Sequence, residues 1–331
     1  MSGRPVRKTA EKGRRQMDRG RAAQQRSRSR SRSASFYTSV RHLQDGCFEN
    51  LVVKLRSAVG MPPNLDSRKV YSNSSSPRGL ALIIANDKFT NRRLPARPGS
   101  DVDVKNIKKL LAGLGYDIFA NRNETAEQMM TTIKKFSKFK DHEKAHSTMI
   151  FVLSHGRYDE IMGSDGQSVN VHDFVGQLNA DNCRFLIGKP KLFFLNCCRG
   201  ALHDLGTSPG PSTSTSKKET ALRRRSKSRS KVTTEEFFHQ SINVDFMVAH
   251  SSFPHYISWR CTANGSWFIQ AICKVFSEKA AQTDLLTMMT EVNALVQRLE
   301  CHEDKREKQA PETRFSLTKS FFFNPPEPAA T

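Results

Sequence analysis

Two short apolar runs, Met149-Ile150-Phe151-Val152-Leu153 and Leu192-Phe193-Phe194-Leu195, limit the folds open to this chain more than any other feature. Neither is interrupted by a polar residue, so neither has a face to offer to water. A strand of this kind is covered on both sides, as in a parallel sheet. Leu80-Ala81-Leu82-Ile83-Ile84-Ala85 has the same character, and Ile118-Phe119 and Phe246-Met247-Val248-Ala249 read as shorter strands. Helical patterns lie between them. From Asp101, the residues Val104, Ile107, Leu111 and Leu114 share one face, with Gly115 as the C-terminal stop. Thr125-Ala126-Glu127-Gln128 is a capping-box pattern opening a helix with Met129, Ile133 and Phe136 on one face. Further helices are expected around Phe174–Leu178, over Trp267–Ala280 and along Leu285, Met289, Val292, Val296 and Leu299, and a closing strand over Phe315–Phe323. Strands alternating with helices predict an α/β fold: a sheet of mostly parallel strands with helices on both faces.

The ends of two of these strands carry chemistry. Met149–Leu153 runs into Ser154-His155-Gly156, and Leu192–Leu195 into Asn196-Cys197-Cys198-Arg199-Gly200. Parallel strands present their carboxyl ends at one edge, where α/β proteins bind ligands. A thiol and an imidazole meeting there make the pair a cysteine nucleophile needs, a base for the thiol and a proton donor for the leaving amine.

This combination resembles the caspases, whose signature is Gln-Ala-Cys-Arg/Gln/Gly-Gly with the histidine about 50 residues upstream. Here His155 stands 43 residues before Cys198. Pro77-Arg78-Gly79-Leu80, Arg97-Pro98-Gly99-Ser100-Asp101, Ser258-Trp259-Arg260 and Gly265-Ser266-Trp267-Phe268-Ile269-Gln270 are similar to further family landmarks, and the likeness covers about residues 77–324. It implies Cys198 as nucleophile, His155 as its acid–base partner, and the N–H groups of Gly156 and Cys198 as oxyanion hole. By the same resemblance Arg97 and Arg260 grip a substrate aspartate at the cleavage position (P1), with Asn196 beside them. Ser258 to Arg260 pair with the extended substrate, and Trp259 and Trp267 wall the pockets upstream. Two positions depart from the family. Asn196 replaces glutamine and is one methylene shorter, which points to weaker substrate binding. Cys197 replaces alanine; its side chain leaves the strand opposite to Cys198, as a buried thiol.

The implied organisation is a disordered Arg/Ser-rich pro-segment over 1–76 with one helix at 42–59, a large-subunit-like catalytic region at 77–204, a disordered basic linker at 205–236, a small-subunit-like region at 237–324 and a tail at 325–331. The net charge of +21 belongs to the two arms: residues 1–40 hold 12 Lys/Arg against Glu11 and Asp18, and residues 205–234 hold 8 against Glu219, leaving +4 for the rest. Such arms suit polyanions such as RNA, or an importin. Neither arm interleaves aromatic residues among its basic ones, so no base-stacking platform is visible. Asp66 and Asp204 are the expected self-processing sites. Seven cysteines without a CxxC pair, no signal peptide and no apolar run of about 20 residues indicate a reduced cytoplasmic setting, extended to the nucleus if the arms act as import signals. No cofactor, metal or membrane is called for. The leading reading is an endopeptidase cutting after Asp in apoptosis or related regulated proteolysis, as a homodimer or paired with another caspase. Two others stand beside it: a catalytically weak homologue regulating a partner caspase, and an Arg/Ser-type RNA-associated protein.

Overall fold

The structure is a computed structural model and describes Val53 and residues 66–206, 241–301 and 306–326. Apart from Val53, the 42–59 helix lies outside these residues, as do almost all of both basic arms. In chain order the elements are β1 (Gly79–Ala85), α1 (Ser100–Gly113), β2 (Tyr116–Arg122), α2 (Ala126–Ser137), β3 (Ser147–Leu153), a small meander of β4 (Gly156–Arg157), β5 (Glu160–Met162) and β6 (Ser168–Asn170), then α3 (Val171–Val175) and β7 (Lys191–Asn196). After β8 (Gly200–Leu202) come β9 (Phe246–His250), β10 (His255–Tyr256), β11 (Arg260–Cys261), β12 (Gly265–Ser266), α4 (Trp267–Lys279), α5 (Leu285–Arg298) and β13 (Glu312–Phe315). Six strands form the central sheet in the order β13-β9-β7-β3-β1-β2, parallel throughout except at β13.

Alternation along each strand builds two cores. Ala81, Ile83, Met149, Phe151, Leu192 and Phe194 point to the face covered by α1, α4 and α5. Leu82, Ile84, Ile150, Val152, Phe193 and Leu195 point to the face covered by α2 and α3. Helices therefore cover both sides, as the apolar runs require. The capping box forms as read, with Gln128 N–H donating to Thr125 Oγ1 at 3.2 Å and Thr125 N–H to Gln128 Oε1 at 2.9 Å.

Two sequence readings need correction. The closing strand is Glu312–Phe315 and does not reach Phe323. Beyond it the chain turns away from the sheet, because Phe321 and Phe323 bury themselves against α4 instead of pairing with β9. The boundary at residue 76 also falls inside packed structure. Val70 and Tyr71 are buried, and Ser320 bridges Val70 in parallel. The polar, Pro-rich composition of 61–77 hid this, since a staple needs one anchor and no periodicity. The anchor is Tyr71, whose hydroxyl donates to Asp245 at 2.5 Å and accepts from Thr318 N–H at 2.8 Å. Burial, then the hydrogen bond to Asp245, pushes its phenol up to about 12. Tyr71→Phe removes a buried bond to a charged acceptor and is expected to cost about 2 kcal/mol, read as a lower midpoint in urea unfolding; an unchanged midpoint would show that the segment is not anchored there.

Among the described residues, no helix is long and apolar enough to cross a membrane, and no group of three or more His, Cys, Asp or Glu could hold a metal ion.

Candidate active site

The register of the sheet assembles the site. Leu153, the last residue of β3, lies opposite Asn196, the last of β7. The residues that follow, Ser154-His155-Gly156 and Cys197-Cys198, therefore leave the sheet side by side at its carboxyl edge. Ser154 N–H reaches back to Asn196 O, and Met162 N–H of β5 donates to His155 O at 2.9 Å, so the histidine backbone is pinned from the meander. Gly156 has no room for a side chain: a Cβ would stand 2.7 Å from Cys198 O and 2.8 Å from Glu160 O. That close approach brings the backbone after the histidine against the peptide of the cysteine.

The imidazole is fixed as well. His155 Nε2 lies 2.9 Å from Pro95 O, and its ring sits 4.8 Å from that of Phe89. A carbonyl only accepts, so Nε2 carries the proton and Nδ1 presents a lone pair. Burial, with the Arg97 charge adding to it, pushes the imidazole down to about 3. At neutral pH it is a neutral base, with Nδ1 as the proton-accepting atom.

Cys198 is half-buried and Cys197 is buried, in opposite directions. Cys197 belongs to the core under α2 and α3, and burial pushes its thiol up to about 12. Cys198 Sγ accepts from Ser258 N–H at 3.4 Å, which seats the thiol against the segment leading into β11. Arg199 clamps the next residue. Its guanidinium is almost wholly enclosed, pairs with Asp159 at 3.2 Å and with Glu312, and lies over the Tyr158 ring.

Arg97 and Arg260 converge from opposite directions. Gly99, at φ 84°, turns the chain into α1, and a Cβ there would meet Cys261 O at 2.6 Å. Only glycine lets the Arg97 turn and the β11–β12 hairpin approach this closely. Arg97 is 4% exposed and donates to Ser100 Oγ at 3.1 Å and to the carbonyls of Asn86 and Asn196 at 3.4 Å. Arg260 Nε donates to Pro98 O at 2.9 Å. Among the described residues neither guanidinium has a carboxylate within ion-pair distance. Burial and the nearby Arg97 charge lower Arg260 to about 9, and burial lowers Arg97 too. Two crowded cations without a contacting anion form a site for one.

The structure thus gathers Cys198, His155, Gly156, Arg97, Asn196, Ser258 and Arg260 at one edge. Trp259 is 7% exposed, and Trp267 is fully buried behind it at 6.0 Å between ring centres. Trp267 packs in a small apolar cluster with Ile257, Cys261 and Cys301 and shows no face of its own. Asp66 caps a turn at Ser67–Lys69, its carboxylate accepting from Arg68 N–H at 3.0 Å. Asp204 is held in place: its carbonyl accepts from Lys308 N–H at 2.7 Å and its carboxylate from Gly206 N–H at 2.9 Å. Sequence reasoning missed Asp103 and Ser266, which support the arginine pair, and Asp159 and Glu312, which hold Arg199. Their partners lie far away in the chain, and a lone acid carries no signal of its own.

Comparison with known proteins agrees with this geometry. The family model described as the caspase domain matches residues 78–322. The chain is 35% identical over 277 residues to Cell death protein 3 of Caenorhabditis remanei, covering 78% of this chain and 53% of that protein. It is 31% identical over 253 residues to Caspase-3 of Xenopus laevis, covering 76% of this chain and 83% of the other. Against Caspase-7 of Gallus gallus the identity is 32% over 261 residues, covering 76% and 79%. The chain thus spans about half the length of the nematode relative.

Proposed function

Because this chain belongs to the caspase family, a family of thiol proteases of apoptosis, we propose that it is an active cysteine endopeptidase that cuts after aspartate. The observation that supports this most is the convergence, beside a thiol–imidazole edge, of two guanidiniums that lack a contacting anion among the described residues. The anionic side chain of the substrate enters between Arg97 and Arg260, which places the following carbonyl over Cys198. His155 Nδ1 takes the thiol proton as Sγ attacks the carbonyl carbon. The oxygen gains charge only as the tetrahedral intermediate forms, so the N–H groups of Gly156 and Cys198 lower the barrier selectively. The imidazolium then gives its proton to the leaving amine, and water, activated by the same histidine, hydrolyses the thioester.

Hydrolysis of fluorogenic peptides ending in Asp, with Asn and Glu controls, tests the reading. Turnover selective for Asp is expected. Binding of the Asp peptide without turnover would favour the catalytically weak homologue, and cleavage after Lys or Arg would overturn the carboxylate pocket.

Division into large- and small-subunit-like halves follows from the same reading, with cuts after Asp66 and Asp204. Peeling Asp204 from Lys308 must precede its cleavage, so the Asp204 product should accumulate more slowly than the Asp66 product. Mass spectrometry of purified protein checks both, and each product should vanish when that Asp is changed to Ala. Absence of both, with activity intact, would mean that the enzyme works as a single chain. Binding of RNA or an importin by the arms is a separate reading, supported by their charge alone.

A further inference from the structure

The arginine pair has a resident carboxylate that the cleavage reaction does not use. Asp103, on the first turn of α1, is 1% exposed. It accepts from Ser266 N–H at 2.7 Å and from Ser266 Oγ–H at 2.6 Å, and Ser266 Oγ in turn accepts from Asn196 Nδ2 at 2.8 Å. A hydroxyl that donates to a carboxylate must accept from its other neighbour, so ionised Asp103 dictates that Asn196 turns its NH2 group towards Ser266. The same cluster holds Arg97, which donates to Asn196 O, and Arg260 on the hairpin that ends in Ser266. Among the described residues Arg97, Arg260 and Asp103 share this pocket, with Asp87 also acting on the Arg97 charge.

We propose that Asp103 is a positioning residue and resident counter-ion of the P1 pocket, and that capture of a substrate carboxylate there is coupled to uptake of a proton by Asp103. The inference rests on the reading of Arg97 and Arg260 as the carboxylate site. An arriving anion adds a like charge beside Asp103 in a buried place, which raises the affinity of Asp103 for a proton. By linkage, whatever binds a proton better in the complex binds its ligand better when protons are plentiful. The pocket is already poised for this, since burial raises Asp103 to about 6 against the hydrogen bonds from Ser266.

The other groups facing Asp103 do not answer in the same range. From the turn before α1 comes Arg97, itself faced by Asp87, and from the β11–β12 hairpin comes Arg260, lowered only to about 9. Coupled to the cluster through Arg97 are His155, at about 3, and Cys197, at about 12, at the tips of β3 and β7. From α4 comes Cys273, whose thiol burial pushes well up.

The test is binding, without turnover, of a fluorescent peptide amide whose only carboxylate is a terminal Asp side chain. The protein is the full chain carrying Cys198→Ala, followed by fluorescence anisotropy from pH 8 to pH 6. Affinity should rise about three- to tenfold as the pH falls. Adding Asp103→Asn should flatten the profile and tighten binding at pH 8 on the order of tenfold, the effect of one buried charge removed nearby. Ser266→Ala, which deprives the ionised carboxylate of a donor, should move the rise to higher pH, and it supplies the answer if Asp103→Asn fails to fold. A flat profile in the parent protein, or an unchanged slope in Asp103→Asn, overturns the proposal while leaving the carboxylate site intact. No binding at any pH overturns both.

Discussion

Cys198→Ala should abolish hydrolysis of an Asp-ended peptide, and His155→Ala should be equally damaging, each lowering kcat on the order of 10⁴-fold or more. The two act as one unit, so the double variant should be no worse than either single one. Cys197→Ala is the discriminating control. It restores the smaller residue at a position that faces the core under α2 and α3, away from Ser258 and the site. Its thiol, held protonated by burial, contributes packing and not chemistry. Activity should be kept or improved, with a stability cost of about 1 kcal/mol for the lost volume. Steady-state kinetics on the three variants decides the matter: equal loss in the two cysteine variants would mean that the nucleophile is misassigned. The neutral resting state of His155 adds a sign. Its imidazole is protonated only near pH 3, so no loss of kcat/KM between pH 8 and 6 should trace to this group.

Arg260→Ala should lower kcat/KM for Asp peptides roughly 10²-fold or more, because it leaves a buried anion with one partner instead of two. The loss should be far smaller for Asn peptides, so the Asp/Asn ratio is the quantity to follow. Arg97→Ala should show the same selectivity change with an added stability loss. Arg97 is enclosed and donates to Ser100 and to the carbonyls of Asn86 and Asn196, so its removal strands buried acceptors as well. Arg260, half-buried on a two-strand hairpin and donating to Pro98 O, is the cleaner probe. A pair of variants that lose activity equally on Asp and Asn peptides would argue for a structural role alone.

What was legible in the sequence follows from locality. Uninterrupted apolar runs declare strands covered on both faces, and 3.6-residue stripes declare the helices that cover them, so β1, β3, β7 and α1, α2, α4 and α5 could be placed within a few residues. The capping box at Thr125 and the stop at Gly115 are decided by neighbours three or four positions away, and both form. Ser-His-Gly and Asn-Cys-Cys-Arg-Gly each follow such a run, which is enough to put imidazole and thiol at one edge.

The rest depended on contacts that chain order does not encode. Tyr71 and Asp245 are 174 residues apart, and Ser266 and Asp103 are 163 apart. Nothing local distinguishes such a tyrosine or aspartate from one in water. A closing strand reaching Phe323 is too long because Phe321 and Phe323 look the same in sequence whether they line a sheet or plug a gap beside α4. Trp267, a pocket wall by resemblance, proved fully buried, since how far an indole is covered depends on what packs over it. The chain alone thus determined which segments are strands and helices and which side chains leave the sheet's carboxyl edge, because backbone periodicity and short-range capping act over a few residues. Only the tertiary structure decided which charges share a buried pocket, because the field at Arg97, Arg260 and Asp103 comes from segments that meet through folding.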